Sequence, residues 1–337
     1  MRVLVTGGTG FVGGHTVAAL VGAGHDVRLL VRRPEQVPVT LGPLGVEVSD
    51  LVVGDVLDDA SVAAALDGTD AVVHAAAVYT SDPRRRQEVA RTNVRATRIV
   101  LGLAAAAGLD PVVHVSSTVA LVRRGGSGPE LPLGDMTTTY GRSKVESEVV
   151  ARELQAEGRP VVCVYPGGVL GPHDPYRGDQ GEMIRWILRG LFPIWPSGGL
   201  HYVDVRDVAA VILAVLEPRR GPRRFVVPGH HVTGRELYST LSRVSGRRLP
   251  HVDLPARVLA PQLRATDHLM ARLPARLRYP AESEGVEIFG RDTRLDDGPA
   301  RTELGIVPLS LEESLRDTTR WLVGSGRLDP ARAPALS

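Results

Sequence analysis

The run Thr6-Gly7-Gly8-Thr9-Gly10-Phe11-Val12-Gly13 restricts the fold of this chain more than any other stretch. Before it, Arg2 to Thr6 is short, apolar and β-branched, the pattern of a buried parallel strand. After it, Val17, Leu20 and Val21 recur at helical spacing. Strand, glycine turn and helix in that order form the context in which such glycines bind phosphate. Gly7 permits a tight turn, Gly10 lets backbone approach a pyrophosphate, and Gly13 lets the helix pack on the strand. The helix N-terminus then holds the anion. The spacing is Gly-x-x-Gly-x-x-Gly rather than the commoner Gly-x-Gly-x-x-Gly, so the placement carries the reading more than the glycines do.

The alternation continues along the chain. Val27 to Val31, Leu51 to Val53, Ala71 to His74, Val112 to Val115, Val161 to Tyr165 and Phe225 to Val227 read as further strands, with helical patterns between them. This predicts an α/β fold: a Rossmann-type, doubly wound parallel sheet of about seven strands with a smaller, mostly helical C-terminal substrate lobe. The predicted division is residues 1–170 and 200–227 for the cofactor-binding domain and 171–199 with 228–325 for an interleaved lobe. Residues 326–337 read as a flexible Pro/Ala/Arg-rich tail.

Several strand ends carry candidate chemistry. Val31 is followed by Arg32-Arg33, where NAD binders usually place an acid; arginine there suits the 2′-phosphate of NADP, although two surface arginines fit as well. Asp55 can accept from an adenine amine or can simply shape a turn. Ala75-Ala76-Ala77 are small enough for a cofactor to lie against backbone. Ser116-Ser117 end the fifth strand, where sheets of this kind bind ligands. A long helix is expected over 87–107, with Asn93 on its apolar stripe. Asparagine is costly to bury there, so it calls for a specific partner: a site role and a structural bond to a neighbouring loop stand level.

Lys144 is the only lysine in the chain and Asn93 the only asparagine. A composition that turns lysine into arginine wherever either serves leaves a surviving lysine with work that arginine cannot do. Lys144 follows Tyr140 by four residues, so on a helix over 140–157 the two share a face. A cation beside a phenol favours phenolate and tunes the tyrosine for proton transfer. Alone, the spacing is common and reads first as a helix-surface pair of no consequence.

Composition excludes other classes. With 40 basic and 38 acidic residues the net charge is +2, and the arginine doublets are scattered among acids, so nucleic acid is not an expected partner. One cysteine, Cys163, allows no internal disulfide and fits a reducing cytosol. No signal-peptide pattern and no apolar run of membrane-spanning length is present, so a cytoplasmic location is expected. His230-His231 are adjacent and face apart, so no metal site is expected.

Taken together, these residues resemble the extended short-chain dehydrogenase/reductase family, also called the NAD-dependent epimerase/dehydratase family. The matching motifs are the glycine turn, Gly54-Asp55, His74-Ala75-Ala76-Ala77, Thr92-Asn93-Val94, Val115-Ser116-Ser117 and Tyr140 through Lys144. Tyr165-Pro166-Gly167-Gly168-Val169-Leu170-Gly171-Pro172 and Val203-Asp204-Val205-Arg206-Asp207-Val208-Ala209 follow in the family's order. Within the family the chain is most similar to the dihydroflavonol-reductase-like branch, which includes actinobacterial oxidoreductases of undefined substrate and a hopanoid-associated sugar epimerase type.

The resemblance implies roles. Tyr140 is the general acid, Ser117 bonds the substrate oxygen, and Lys144 binds the nicotinamide ribose and lowers the tyrosine pKa. Asn93 helps hold an active-site water or the backbone geometry. The cofactor is implied to rest on Gly7, Gly10, Phe11, Val12, Gly13, Arg32, Asp55, Val56, Ala75, Ala76, Pro166, Gly167 and Val169, together with Tyr140 and Lys144. Tyr79 and Trp186, with Trp195 and Tyr202, are candidates for an apolar substrate pocket or for plain core. A homodimer through helices 87–107 and 140–157 is implied as well. The expected activity is NADP(H)-dependent carbonyl reduction or alcohol oxidation on a small to medium substrate, with NAD(H) as the other cofactor. The alternatives are nucleotide-sugar epimerisation and non-catalytic cofactor sensing. Sugar-nucleotide members commonly carry an asparagine after the sixth strand, and Gly167-Gly168 stand there. Sensing members usually lack the tyrosine or the lysine, and both are present.

Overall fold

The computed structural model of the chain describes residues 1–78, 86–123, 131–176, 178–262 and 283–336. Its centre is a seven-stranded sheet, ordered β3-β2-β1-β4-β5-β6-β10, with all neighbours parallel. The strands are β1 (Arg2–Thr6), β2 (Asp26–Val31), β3 (Leu51–Val53), β4 (Ala71–His74), β5 (Val112–Val115), β6 (Val161–Tyr165) and β10 (Arg223–Val226). Parallel sheets need both faces covered, and the strands alternate accordingly. Val3 and Val5 join one apolar cluster while Leu4 joins the other.

The first face carries helices α1 (Phe11–Gly22) and α7 (Val205–Ala214), packed together. The second carries α3 (Asp59–Leu66), α4 (Arg86–Ala106) and α5 (Thr139–Ala156), with α4 against α5. The short α2 (Gln36–Leu41) packs on α1. From β1 the strand order runs outward one way through β2 and β3 and the other way through β4, β5 and β6. In open α/β sheets ligands bind above such a switch in order, at the carboxyl ends of the strands. The glycine turn, Ala75-Ala76, Ser116-Ser117 and Pro166 all follow strands at that edge.

Two small sheets stand apart from the main one. β7 (Gly168–Leu170), β9 (Gly199–Asp204) and β11 (His230–Thr233) form one, and β8 (Ile194–Pro196) with β12 (Val252–Leu254) the other. They surround a third core with α6 (Asp179–Leu188), α8 (Gly234–Ser245), α9 (Ser283–Arg291) and α11 (Leu311–Gly324). The remaining α10 (Gly298–Glu303) packs near β10. No helix among the described residues is long and apolar enough to cross a membrane.

One expectation needs correction. Residues 326–337 are not a frayed tail over the part described: Leu328 and Ala333 are buried at 2% and 0% exposure. Arg327 stacks over Trp321 and donates to the Asp174 carbonyl, which fixes the chain there. Of the aromatic candidates left open between pocket and plain core, Trp195 and Tyr202 are core side chains, each 1% exposed, and Trp195 meets Phe192, Tyr238 and Phe289 edge-on. Residues 283–303 hold α9 and α10; glycines at 285 and 290 dilute the α9 pattern although Val286 and Phe289 are buried.

Candidate active site

The glycine turn is shaped by close approaches that a side chain would block. Gly7 has φ +79°, and a Cβ on it would stand 2.6 Å from the Ala76 nitrogen. A Cβ on Gly13 would collide with the Gly7 carbonyl, so helix α1 sits directly on the turn. Gly10 occupies the N-cap position with no side-chain cap. The first amides of α1, from Phe11 and Val12, are therefore left to an outside acceptor, at the positive end of the helix. A pyrophosphate has the charge and the oxygens for that position.

Around this turn stand the other candidates. Ala75 donates its amide to the Thr6 carbonyl at 3.1 Å, closing β4 against β1. Asp55 accepts from the Leu57 amide at 3.0 Å, so its carboxylate shapes its own turn, while Val56 packs on the second core. Arg32 and Arg33 are exposed just past β2. The Pro166 carbonyl accepts from the Thr118 amide at 2.9 Å; Val169 packs on the first core. Gly167 lies so close to the His201 carbonyl that a Cβ there would overlap it.

Asn93 is 6% exposed, and its amide clamps one backbone residue from both sides. Its Oδ1 accepts from the Val78 amide at 2.8 Å, and its Nδ2 donates to the Val78 carbonyl at 2.7 Å. The partner that burial demanded is thus the segment leaving β4, which Asn93 ties to α4.

Helix α5 begins at Thr138, whose hydroxyl accepts from the Gly141 amide, so Tyr140 and Lys144 lie in its first two turns. Lys144 Nζ is 5.7 Å from the Tyr140 ring centroid. Lys144 is 9% exposed, and burial lowers its pKa to about 8. Tyr140 is partly buried against Val119, Val122, Met136 and Ile288. Ser117 caps the short turn that follows β5, its Oγ accepting from the Val119 amide at 3.2 Å. The hydroxyl hydrogen remains available to donate. Trp186 lies on α6, partly exposed, with the Arg189 guanidinium 6.0 Å over its ring. Tyr79 lies outside the described residues.

Two features escaped the sequence reading. His74 and His114 stack 5.9 Å apart at paired positions of β4 and β5, both at most 3% exposed. Burial, then the nearby Lys144 charge, lowers the His74 pKa to about 3, and burial holds His114 well below the ordinary imidazole range. Both rings are therefore neutral at pH 7, under the lysine. His74 Nδ1 pairs with the Thr6 hydroxyl at 2.8 Å, while neither ring nitrogen of His114 has a partner among the described residues. The second feature is Glu148, four residues beyond Lys144 and 0% exposed. Its i, i+4, i+8 relation to Tyr140 and Lys144 was the signal that could have marked it.

Residues 3–227 match the profile of the NAD dependent epimerase/dehydratase family. The chain belongs to this family. Sterol demethylase protein B of Methylococcus capsulatus is 30% identical, over 97% of this chain and 100% of that protein. A putative dihydroflavonol 4-reductase of Synechocystis is 30% identical, over 96% of this chain and 94% of its own length. UDP-glucose 4-epimerase from Bifidobacterium longum, solved with NAD+ and UDP, superposes with a TM-score of 0.72. That likeness covers 98% of this chain and 100% of that one at 19% identity, and concerns the fold. As an epimerase/dehydratase family member the chain is an NAD(P)-dependent enzyme acting on CH–OH groups, of the extended short-chain dehydrogenase/reductase type. The uncapped α1 N-terminus, the close Gly7 and Gly13 approaches and the buried ammonium of Lys144 fit a dinucleotide cofactor.

Proposed function

We propose that the chain is an NADP-dependent carbonyl reductase or alcohol dehydrogenase acting on a ketone or secondary alcohol of small to medium size. The observation that carries this reading is the buried Lys144 ammonium 5.7 Å from the Tyr140 ring. With a pKa of about 8, Lys144 keeps its charge at pH 7 and favours the phenolate of Tyr140. A bound nicotinamide would supply the hydride to the carbonyl carbon in reduction, or take it from the carbinol carbon in oxidation. Tyr140 gives its phenolic proton to the carbonyl oxygen in reduction and takes it back in oxidation. Ser117 donates its hydroxyl hydrogen to that oxygen, where negative charge builds up. Asn93 holds the segment after β4 through Val78. Phe11 and Val12 amides take the pyrophosphate, Asp55 and Val56 border the adenine, and Pro166, Gly167 and Val169 border the nicotinamide. Trp186 and Tyr79 are assigned to the substrate side, the protein to the cytoplasm, and α4 with α5 to a homodimer interface. Epimerisation of a nucleotide sugar is disfavoured by Gly167, where the His201 carbonyl leaves no room for an amide side chain.

The test replaces Tyr140 with Phe. Turnover of a ketone should fall at least about a thousandfold while cofactor affinity stays within about twofold, because only the proton donor is removed. Most of the wild-type turnover surviving in folded Tyr140→Phe would overturn the acid role. The cofactor assignment rests on Arg32. NADPH should bind the wild type more tightly than NADH, and Arg32→Ala should lose about 1.5–3 kcal/mol of NADPH binding, the worth of a charge-assisted bond. Tighter NADH binding by the wild type, or an unchanged NADPH affinity in the variant in a fluorescence titration, sinks it.

A further inference from the structure

One buried group near the site has a full set of bonds and no part in the chemistry above. The Glu148 carboxylate, 0% exposed, accepts from the Ser116 hydroxyl at 2.9 Å through Oε2. Through Oε1 it accepts from the Tyr165 hydroxyl at 2.6 Å and from Arg152 Nε at 2.8 Å. Arg152 also donates to the Leu131 carbonyl at 2.6 Å, on the segment leading into α5. Each partner adjoins a piece of the site. Ser116 precedes Ser117, Tyr165 precedes Pro166 and Gly167, and Glu148 lies one helical turn beyond Lys144. On the sheet side, Ser116 and Thr118 are already tied to β6 by their amides, to the Val164 and Pro166 carbonyls at 2.9 Å each. These bonds fix Ser117 relative to β6, while Tyr140 rides on α5 and meets the Ser117 turn through apolar packing on Val119 and Val122, which is not directional. The Glu148–Ser116 bond joins those two frames.

We propose that Glu148 is a positioning residue that sets the Ser117 hydroxyl against the Tyr140 hydroxyl by anchoring the end of β5 to α5. The proposal rests on the reading of Ser117 and Tyr140 as the pair acting on the substrate oxygen. An apolar replacement would leave two buried hydroxyls and the half-buried Arg152 without their acceptor, whereas glutamine keeps the shape. Its amide nitrogen cannot accept, so a hydroxyl that donated to the carboxylate must turn and accept instead, and the negative charge facing Arg152 is lost, all without a cavity. A shift of about 1 Å between two reacting groups costs up to about a hundredfold in rate.

The experiment is a double-mutant cycle on the full-length holoenzyme. Glu148→Gln and Ser116→Ala should each lower kcat by about tenfold or more, with KM and cofactor affinity within about twofold, and the double variant should be no slower than Glu148→Gln alone. A wild-type kcat in both single variants, additive losses, or a loss matched by weaker cofactor binding would each overturn the proposal. Should Glu148→Gln fail to fold, Ser116→Ala and Tyr165→Phe remove the bonds singly and are judged by the same split of kcat from KM. A second measurement needs no substrate. Backbone hydrogen exchange over 114–119 in the cofactor-free protein should quicken in Glu148→Gln and Ser116→Ala while 2–6 keeps its wild-type rates. Unchanged exchange at 114–119 counts against Glu148. A wild type that reduces no ketone, with exchange quickened as described, counts against the reductase reading alone.

Discussion

Lys144 is held at an energetic disadvantage in the cofactor-free protein. Its ammonium lies among apolar and neutral groups, and burial brings its pKa from 10.5 to about 8. The folded chain therefore releases that proton earlier than the unfolded chain does. The penalty is fully present below pH 8 and fades as pH rises from 8 to 10.5. The difference corresponds to at most about 3 kcal/mol. Lys144→Met should accordingly raise the melting temperature of the cofactor-free protein at pH 7, and the gain should shrink by pH 10.5. A lower melting temperature for the variant at pH 7, measured by calorimetry, would contradict this. Cofactor should stabilise the wild type more than the variant, since activity and stability make opposite demands on such a site. At this scale the sequence marked Tyr140 and Lys144 because the composition spares only one lysine. It did not mark Glu148, which by pattern resembles its exposed helix neighbours Glu146 and Glu153. Burial of a carboxylate depends on what stands opposite it, and Ser116 and Tyr165 arrive there from distant strands.

Helix α1 is the element on which the cofactor half depends. Its first turn rests on the Gly7 carbonyl at Gly13, and both sides of that approach are backbone that cannot move aside. Gly13→Ala should lower both the melting temperature and the cofactor affinity, the latter by at least about tenfold, since a shift of the helix start moves every amide aimed at the anion. Gly22 ends the same helix with nothing within 4 Å of a Cβ. Gly22→Ala should be neutral or stabilising by up to about 1 kcal/mol, through a less flexible unfolded chain. Equal behaviour of the two variants in melting and cofactor titration would refute this account of the turn. The main strands were legible as β-branched runs because burial on both faces fills their middles with valine and leucine, leaving polar residues mostly at the strand ends. The three-residue strands β7, β8 and β12 were not: unlike the wholly apolar β3, each includes a strand-disfavouring residue, Gly168, Pro196 or Asp253.

Over the whole molecule, the last described residues complete a core begun near the middle of the chain. Leu328 lies in one cluster with Leu170, Ile184, Trp195 and Leu237. Removing residues 326–337 should therefore destabilise the protein by about 2–5 kcal/mol, the range for losing a large buried side chain. A truncated protein with the wild-type midpoint in urea would show that this packing contributes nothing. The composition of that segment, rich in proline, alanine and arginine, reads as disordered. What secures it is the surface it meets, which a local reading does not see.

The C-terminal helix α11 also reaches the sheet side. Its Thr318 hydroxyl accepts from the Gly171 amide at 2.9 Å, and its Asp317 pairs with Arg206. Synthesis proceeds from the other end, so β7, α6 and α8 are made well before the helix that covers them. Until it emerges, the core around Leu170, Ile184 and Leu237 lacks Leu315 and Leu322 and is covered only in part. The nascent chain thus passes through an interval in which its cofactor half can close while its substrate half cannot. That interval is when a chaperone that binds exposed apolar surface would find this protein.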